Sequence, residues 1–94
     1  MPIRLTDERW AHIVEEHAEL AAMREDVLET VSDAERVLAG RAGALLAART
    51  QEPGKMLVVV YREVSAADGF VVTAFLTRRL AWMDRRQQVW PPKI

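Results

Sequence analysis

The chain has 94 residues, half of them hydrophobic and 29% charged, with a net charge of −1 and no cysteine. That is enough for one domain with its own core, and it excludes disulfides and thiolate chemistry. No apolar run approaches the ~18 residues of a membrane span, and Met1-Pro-Ile-Arg-Leu-Thr6 leads straight into charged sequence without signal-peptide character. A cytoplasmic protein that does not enter a membrane is the expectation.

The net charge conceals an asymmetry. Residues 1–54 carry 6 Lys and Arg against 11 Asp and Glu, whereas residues 55–94 carry 7 against 3. This fits a basic surface that meets a polyanion, or two differently solvated faces.

Pro2 to Leu5 is too short to assign, and reads as an edge strand or an extended lead-in. Thr6 has the character of an N-cap, with Asp7 and Glu8 in the first turn where acids favour the helix dipole. A helix is predicted from Asp7 to Glu16 or beyond. At about 100° per residue, Trp10, Ala11, Ile13, Val14 and His17 share one stripe. His12 falls on the opposite side, between Glu15 and Glu16. A second helix is predicted from Leu20 or Ala21 to Val31, because Met23, Val27 and Val31 repeat at four-residue intervals. Ser32-Asp33 ends it. The two helices should form a hairpin or a bent pair.

Glu35 to Ala39 reads as a short strand and Gly40 to Gly43 as a turn. Ala44 to Thr50 has a helical composition, but its length and bounding glycines favour a strand. Gln51-Glu-Pro-Gly54 is a turn. Two apolar runs follow, Met56-Leu-Val-Val-Val-Tyr61 and Phe70-Val-Val-Thr-Ala-Phe-Leu76. Their β-branched and aromatic content suits a pleated surface. They read as antiparallel strands joined by the polar loop Arg62 to Gly69. Neither alternates cleanly, which marks central strands covered on both faces. Trp10, Val14, Val27, Val58, Val60 and Val72 are the predicted core. In the last segment Arg78, Arg79, Arg85 and Arg86 surround Leu80-Ala-Trp82-Met83, with Trp82 as a plug over the core. Val89-Trp90-Pro-Pro92 reads as a tail whose indole docks on the body. The fold expected is α+β: two N-terminal helices packed on an antiparallel sheet of about four strands, in a single domain.

Few residues here carry chemistry. The two histidines are spaced i, i+5, about 140° apart on a helix, whereas helical zinc motifs use i, i+4. There is no phosphate-cradling glycine loop and no nucleophile elbow. No metal and no cofactor are expected. What remains is His17 on the inner helix stripe, Thr73 interrupting a central strand, and surplus arginine. A buried Thr73 hydroxyl needs a partner, and it is either a β-favouring residue bonded to water or backbone, or a site residue. His17 is either a core histidine bonded to backbone or a proton-transfer group. His12 reads as an exposed histidine between glutamates. Together the set suits acid–base cleavage of a phosphodiester. Such cleavage needs a base for the 2′-hydroxyl, an acid for the leaving 5′-oxygen, and cations on the phosphate. Histidine titrates near neutrality and arginine matches phosphate bidentately.

Trp10-Ala-His12-Ile13-Val-Glu-Glu-His17-Ala-Glu19, followed by a strand Val71-Val-Thr73-Ala-Phe75-Leu-Thr77, resembles the phage-type barnase–EndoU–colicin–RelE-like nucleases. These are small α+β domains, many of them metal-independent ribonucleases and some of them toxins held by a protein inhibitor or antitoxin. The motifs are short, but they cover most of the chain in order. The resemblance implies His12, His17 and Glu19 on the helix, and Thr73 and Thr77 on the strand, as site residues. Ala18 stands where a proline is common and Phe75 where a tyrosine is common, so a phenolic hydroxyl is missing.

The expected function is therefore a metal-independent ribonuclease that cleaves RNA to a 2′,3′-cyclic phosphate. His17 would be acid or base, and Thr73 would orient the phosphate or His17. Arg49, Arg62 or Arg78 would hold the phosphate. The rival is a non-catalytic module of the same fold that binds RNA or a protein.

Overall fold

Thr6 starts the first helix as its sequence implies. It is extended, at φ −72° and ψ 157°, and its Oγ accepts the Arg9 N–H at 3.1 Å. In the computed structural model, which describes residues 2–92, the order of elements is as follows. Strand β1 (Ile3–Arg4) precedes helix α1 (Asp7–Glu16), a 3-10 turn at Ala18–Leu20 and helix α2 (Arg24–Ser32). Then come β2 (Arg36–Ala39), a 3-10 turn at Arg41–Gly43, β3 (Leu45–Glu52), β4 (Lys55–Ser65) and β5 (Asp68–Thr77). A 3-10 turn at Ala81–Arg85 leads to β6 (Gln88–Trp90).

The class is α+β, but the sheet has six strands rather than about four, in the order β1-β5-β4-β3-β2-β6. The two extra strands are its edges. One is β1, which pairs parallel with β5 at Ile3–Gly69 and Arg4–Phe70. The other is β6, which pairs with β2. Both are too short for periodicity to reveal. The inner strands β2 to β5 are antiparallel neighbours. Pro53-Gly54 turns β3 into β4, with Gly54 at φ +78°, the positive value that the third residue of a type II turn needs.

The polar segment Arg62 to Gly69 is not a loop. β4 and β5 continue through it to Ser65–Asp68, and only Ala66-Ala67 turn. Pairing beyond the end of β3 lets polar side chains of β4 stay in water, so their polarity hid the strand. Arg62 lies opposite Phe70 in this extension.

Two apolar layers explain why β4 and β5 do not alternate. Leu57, Val59, Val71 and Ala74 face the helices and pack with Ile13, Leu20 and Val27. Met56 and Val58 face the other way and pack with Leu38, Leu46, Ala48 and Met83. Of the predicted core residues, Val27 and Val58 are fully buried. Trp10, Val14, Val60 and Val72 are only partly so. Trp10 sits at the rim of the helix-side layer and Val60 at the rim of the other. Ala11 is exposed despite its place in the predicted stripe.

α2 begins at Arg24, later than its periodicity predicts, because Ala18–Leu20 forms a separate 3-10 turn that carries buried Leu20. Arg24 ties the two helix starts together. It pairs with Asp7 at 2.7 Å and donates to the Leu5 carbonyl at 3.0 Å. Inside α2, the buried Thr30 hydroxyl donates to the Asp26 carbonyl at 2.7 Å. At the other end of the chain, the plug over the second apolar layer is Met83, fully buried, while Trp82 lies partly exposed beside it. Trp90 does not dock: it is 52% exposed. Among the described residues no helix is long and apolar enough to cross a membrane.

Candidate functional site

α1 ends at Glu16, so His17 is its C-cap rather than part of its stripe. The backbone turns out of helical geometry there, at φ −133° and ψ 73°, while the His17 N–H still donates to the Ile13 carbonyl at 2.7 Å. This swings the imidazole sideways. Its ring meets Phe75 of β5 with 6.4 Å between centroids. The neighbours of His17 in sequence, Ile13 and Leu20, pack on the helix side of the sheet, whereas Phe75 packs with the opposite layer. The ring therefore crosses the margin of β5. It can do so because β1 covers β5 only at Gly69 and Phe70; among the described residues no strand lies outside β5 beyond Phe70.

Phe75 is the middle of three residues on one face. Thr73, Phe75 and Thr77 lie opposite Val60, Val58 and Met56, and alternate strand positions point the same way. Thr73 borders a β-bulge. Val60 pairs with Thr73 but Tyr61 pairs with Val71, which leaves Val72 without a partner in β4. Bulges re-aim side chains and gather near active sites. Arg9 approaches this one from α1, its Nη1 donating to the Val72 carbonyl at 3.4 Å. Nothing in the local sequence signals the bulge, since Val72 is as β-favouring as its neighbours.

Glu19 completes the rim. Its Oε1 lies 3.6 Å from His17 Nδ1, and the His17 side chain is 34% exposed. An imidazole so placed has a carboxylate on one nitrogen and leaves the other for a substrate. Thr77 is engaged locally: its Oγ accepts the Arg79 N–H at 3.1 Å and donates to the Arg79 carbonyl at 3.3 Å, closing the end of β5.

The other residues implicated by sequence do not join this rim. His12 points outward and pairs with exposed Glu16 at 3.2 Å. A surface depression of about 560 Å³ beside it is lined by Thr6, Glu8, Arg9, Ala11, His12 and Glu15. All belong to one helix and its cap, with no strand as a wall. Arg49 is bound to α2, 3.0 Å from both Glu29 and Asp33. Arg62 donates to the Ala42 carbonyl. Arg78 pairs with Glu52 at 2.7 Å. These three arginines occupy three separate places and do not form one clamp.

Two residues that the sequence left as a plug and a solvated face extend the rim instead. Trp82 packs on Phe75 with 6.3 Å between ring centroids, and the Arg86 guanidinium lies 5.9 Å over the Trp82 ring. His17, Phe75, Trp82 and Arg86 thus make a continuous row, each member partly exposed. Its members come from three places in the chain, the end of α1, β5 and the turn at Ala81–Arg85 with its cap, so only the fold brings them into line. Comparison with known protein families, curated proteins and solved structures finds no match to this chain.

Proposed function

We propose that the chain is a metal-independent ribonuclease acting at the His17 rim. The observation that carries this reading is the placement of His17: an imidazole one-third exposed, held by a helix end and Phe75, with Glu19 at one nitrogen. Glu19 orients the ring, a role a carboxylate beside a catalytic histidine often fills. The free nitrogen then takes the 2′-hydroxyl proton or protonates the departing 5′-oxygen. Thr73, two residues from Phe75 on the same face, offers a hydroxyl to a phosphate oxygen. Arg79 and Arg85, both exposed, supply positive charge at the end of β5 and in the turn that follows.

The test is RNA incubated with the protein in EDTA. Products should carry 2′,3′-cyclic phosphate ends, and His17→Ala should slow their formation by roughly 10²- to 10⁴-fold, the usual range for a general acid or base. His12→Ala should cut like the parent. Absence of cyclic ends, or full activity in His17→Ala, overturns the reading.

A second reading is favoured by the arginines. Arg49, Arg62 and Arg78 are each engaged away from His17, which leaves the rim without the close phosphate clamp that transition-state stabilisation calls for. On that reading the same rim holds RNA without cutting it. Binding that persists in His17→Ala, with no cleavage by the parent, selects it.

A further inference from the structure

We propose that Phe75, Trp82 and Arg86 form a stacking subsite for an unpaired nucleobase of single-stranded RNA. The inference deepens the RNA reading above and rests on it, but it does not require cleavage. Trp82 is not needed to close the core, because Met83 beside it is fully buried and fills that place. Among the described residues the Trp82 indole N–H has no hydrogen-bond partner, and no buried side-chain nitrogen or oxygen is left unpartnered, so this N–H is not fully buried. A partly exposed tryptophan with an unengaged polar edge is available to a flat, polar-edged ligand.

The surroundings select the ligand. Arg86 is fixed over the indole because its Nη1 also donates to the Ala39 carbonyl at 3.2 Å. Its guanidinium retains further N–H donors that suit base edges or phosphate. Arg79, two residues before the Ala81–Arg85 turn, and Arg85, its last residue, are exposed and have no carboxylate within ion-pair distance among the described residues. Aromatic faces beside unpaired cations are the pairing that single strands use, bases on the rings and backbone along the charges. The row ends at His17. A base stacked on Trp82 and Phe75 would therefore lead its own sugar and phosphate toward the imidazole.

The probe is a ten-nucleotide 2′-O-methyl oligoadenylate, which cannot form a cyclic phosphate. A second strand of equal length has the same backbone but no bases. Fluorescence anisotropy with the full chain should give about tenfold or greater preference for the strand with bases, the scale of one or more stacked bases. Trp82→Leu keeps an apolar side chain against Met83 but removes the π face, and should reduce that preference to about twofold or less. If circular dichroism shows that Trp82→Leu does not fold, Arg86→Gln is used, and should lower the preference severalfold. Equal binding of the two strands, no binding of the strand with bases, or an undiminished preference in the folded variants overturns the proposal. Cleavage is scored separately. A base preference without cyclic ends sinks the catalytic reading and leaves the subsite standing. Cleavage without a base preference does the reverse.

Discussion

His17 and Phe75 meet at 6.4 Å between ring centroids, although one caps a helix on one side of the sheet and the other belongs to the apolar layer on the opposite side. The contact holds the imidazole at the margin of β5. Phe75→Leu keeps apolar bulk in that layer but withdraws the flat surface behind His17. Cleavage should fall about threefold to tenfold through kcat, as expected when a proton-transfer group is less well oriented. KM should rise as well, because Phe75 is also part of the proposed stacking subsite. A rise in KM alone, or no kinetic change, would separate Phe75 from the proton-transfer role of His17.

Salt should weaken RNA binding. Each phosphate neutralised on a single strand contributes a slope of about −0.7 to log K against log salt. Arg79 and Arg85 are exposed, one just before and one at the end of the turn that carries Trp82. Replacing both by Ala should make the slope shallower by about one unit or more if both touch phosphate. Replacing Arg49, which is bound to Glu29 and Asp33, should leave the slope unchanged. It should lower stability by about 1 kcal/mol, the scale of a partly exposed ion pair.

Tyr61 provides a reporter in alkali. Burial, and secondarily the Glu63 carboxylate, hold its phenol above the ordinary value near 10. The folded state therefore keeps the proton longer than the unfolded state does. The associated stability is complete below about pH 10, and is lost as pH rises through the folded-state value. Chemical denaturation at pH 9, 10 and 11 should show this decline in the parent and a smaller one in Tyr61→Phe. Because the chain has one tyrosine, its absorbance titration is unambiguous. A phenol titrating at or below 10 in the folded protein contradicts the burial argument.

Packing predictions follow the two apolar layers. Val59 is fully buried against the helices, whereas Val60 sits at the rim of the other layer. Val59→Ala should cost about 1–3 kcal/mol by lost burial and a cavity. Val60→Ala should cost less than half of that. Equal losses in urea denaturation would show that the rim position is as tightly packed as the centre.

Gly69 is required where β1 meets β5. A Cβ added there would stand 2.6 Å from Ile3 Cδ1 and 2.7 Å from the Arg62 carbonyl oxygen. The side chain could yield but the carbonyl could not, so Gly69→Ala should destabilise by about 1–3 kcal/mol. Ala66 and Ala67, exposed in the adjacent turn, should tolerate Ser within about 0.5 kcal/mol.

The long elements were legible because local chemistry and burial agree in them. Thr6 with Asp7 and Glu8 marked the start of α1, and the absence of alternation in Met56 to Tyr61 reported two covered faces. The edge strands were not legible. Ile3–Arg4 and Gln88–Trp90 acquire their character only from β5 and β2, residues distant in the chain. Polarity likewise hid the continuation of β4 through Arg62 and Glu63, where strands pair in water. At the site, His17 stood out by residue type, but its direction depends on where α1 stops. A helical wheel continued through residue 17 gives it a direction that the cap does not keep. Thr73 was visible as a polar break in an apolar run, and the bulge beside it was not. Trp82 and Arg86 could not have been joined to Phe75 from spacing, since the turn that folds them back is held by the burial of Met83.

The short parallel pair at β1 implies an order of events as the chain folds. The hairpins from β2 to β5 close across small loops, while Arg4 and Asp68, joined by a two-pronged ion pair at 2.9 Å, are 64 residues apart. The entropic penalty of joining them is met only when the intervening chain is already compact. β1 should be the last strand to zip and the first to detach. Hydrogen exchange at the Arg4 amide should then outpace that at Val58 or Val59, and report a partial opening in which the whole outer margin of β5 is uncovered. Ile3 and Arg4 thus act as a detachable clasp on the strand that carries Thr73 and Phe75.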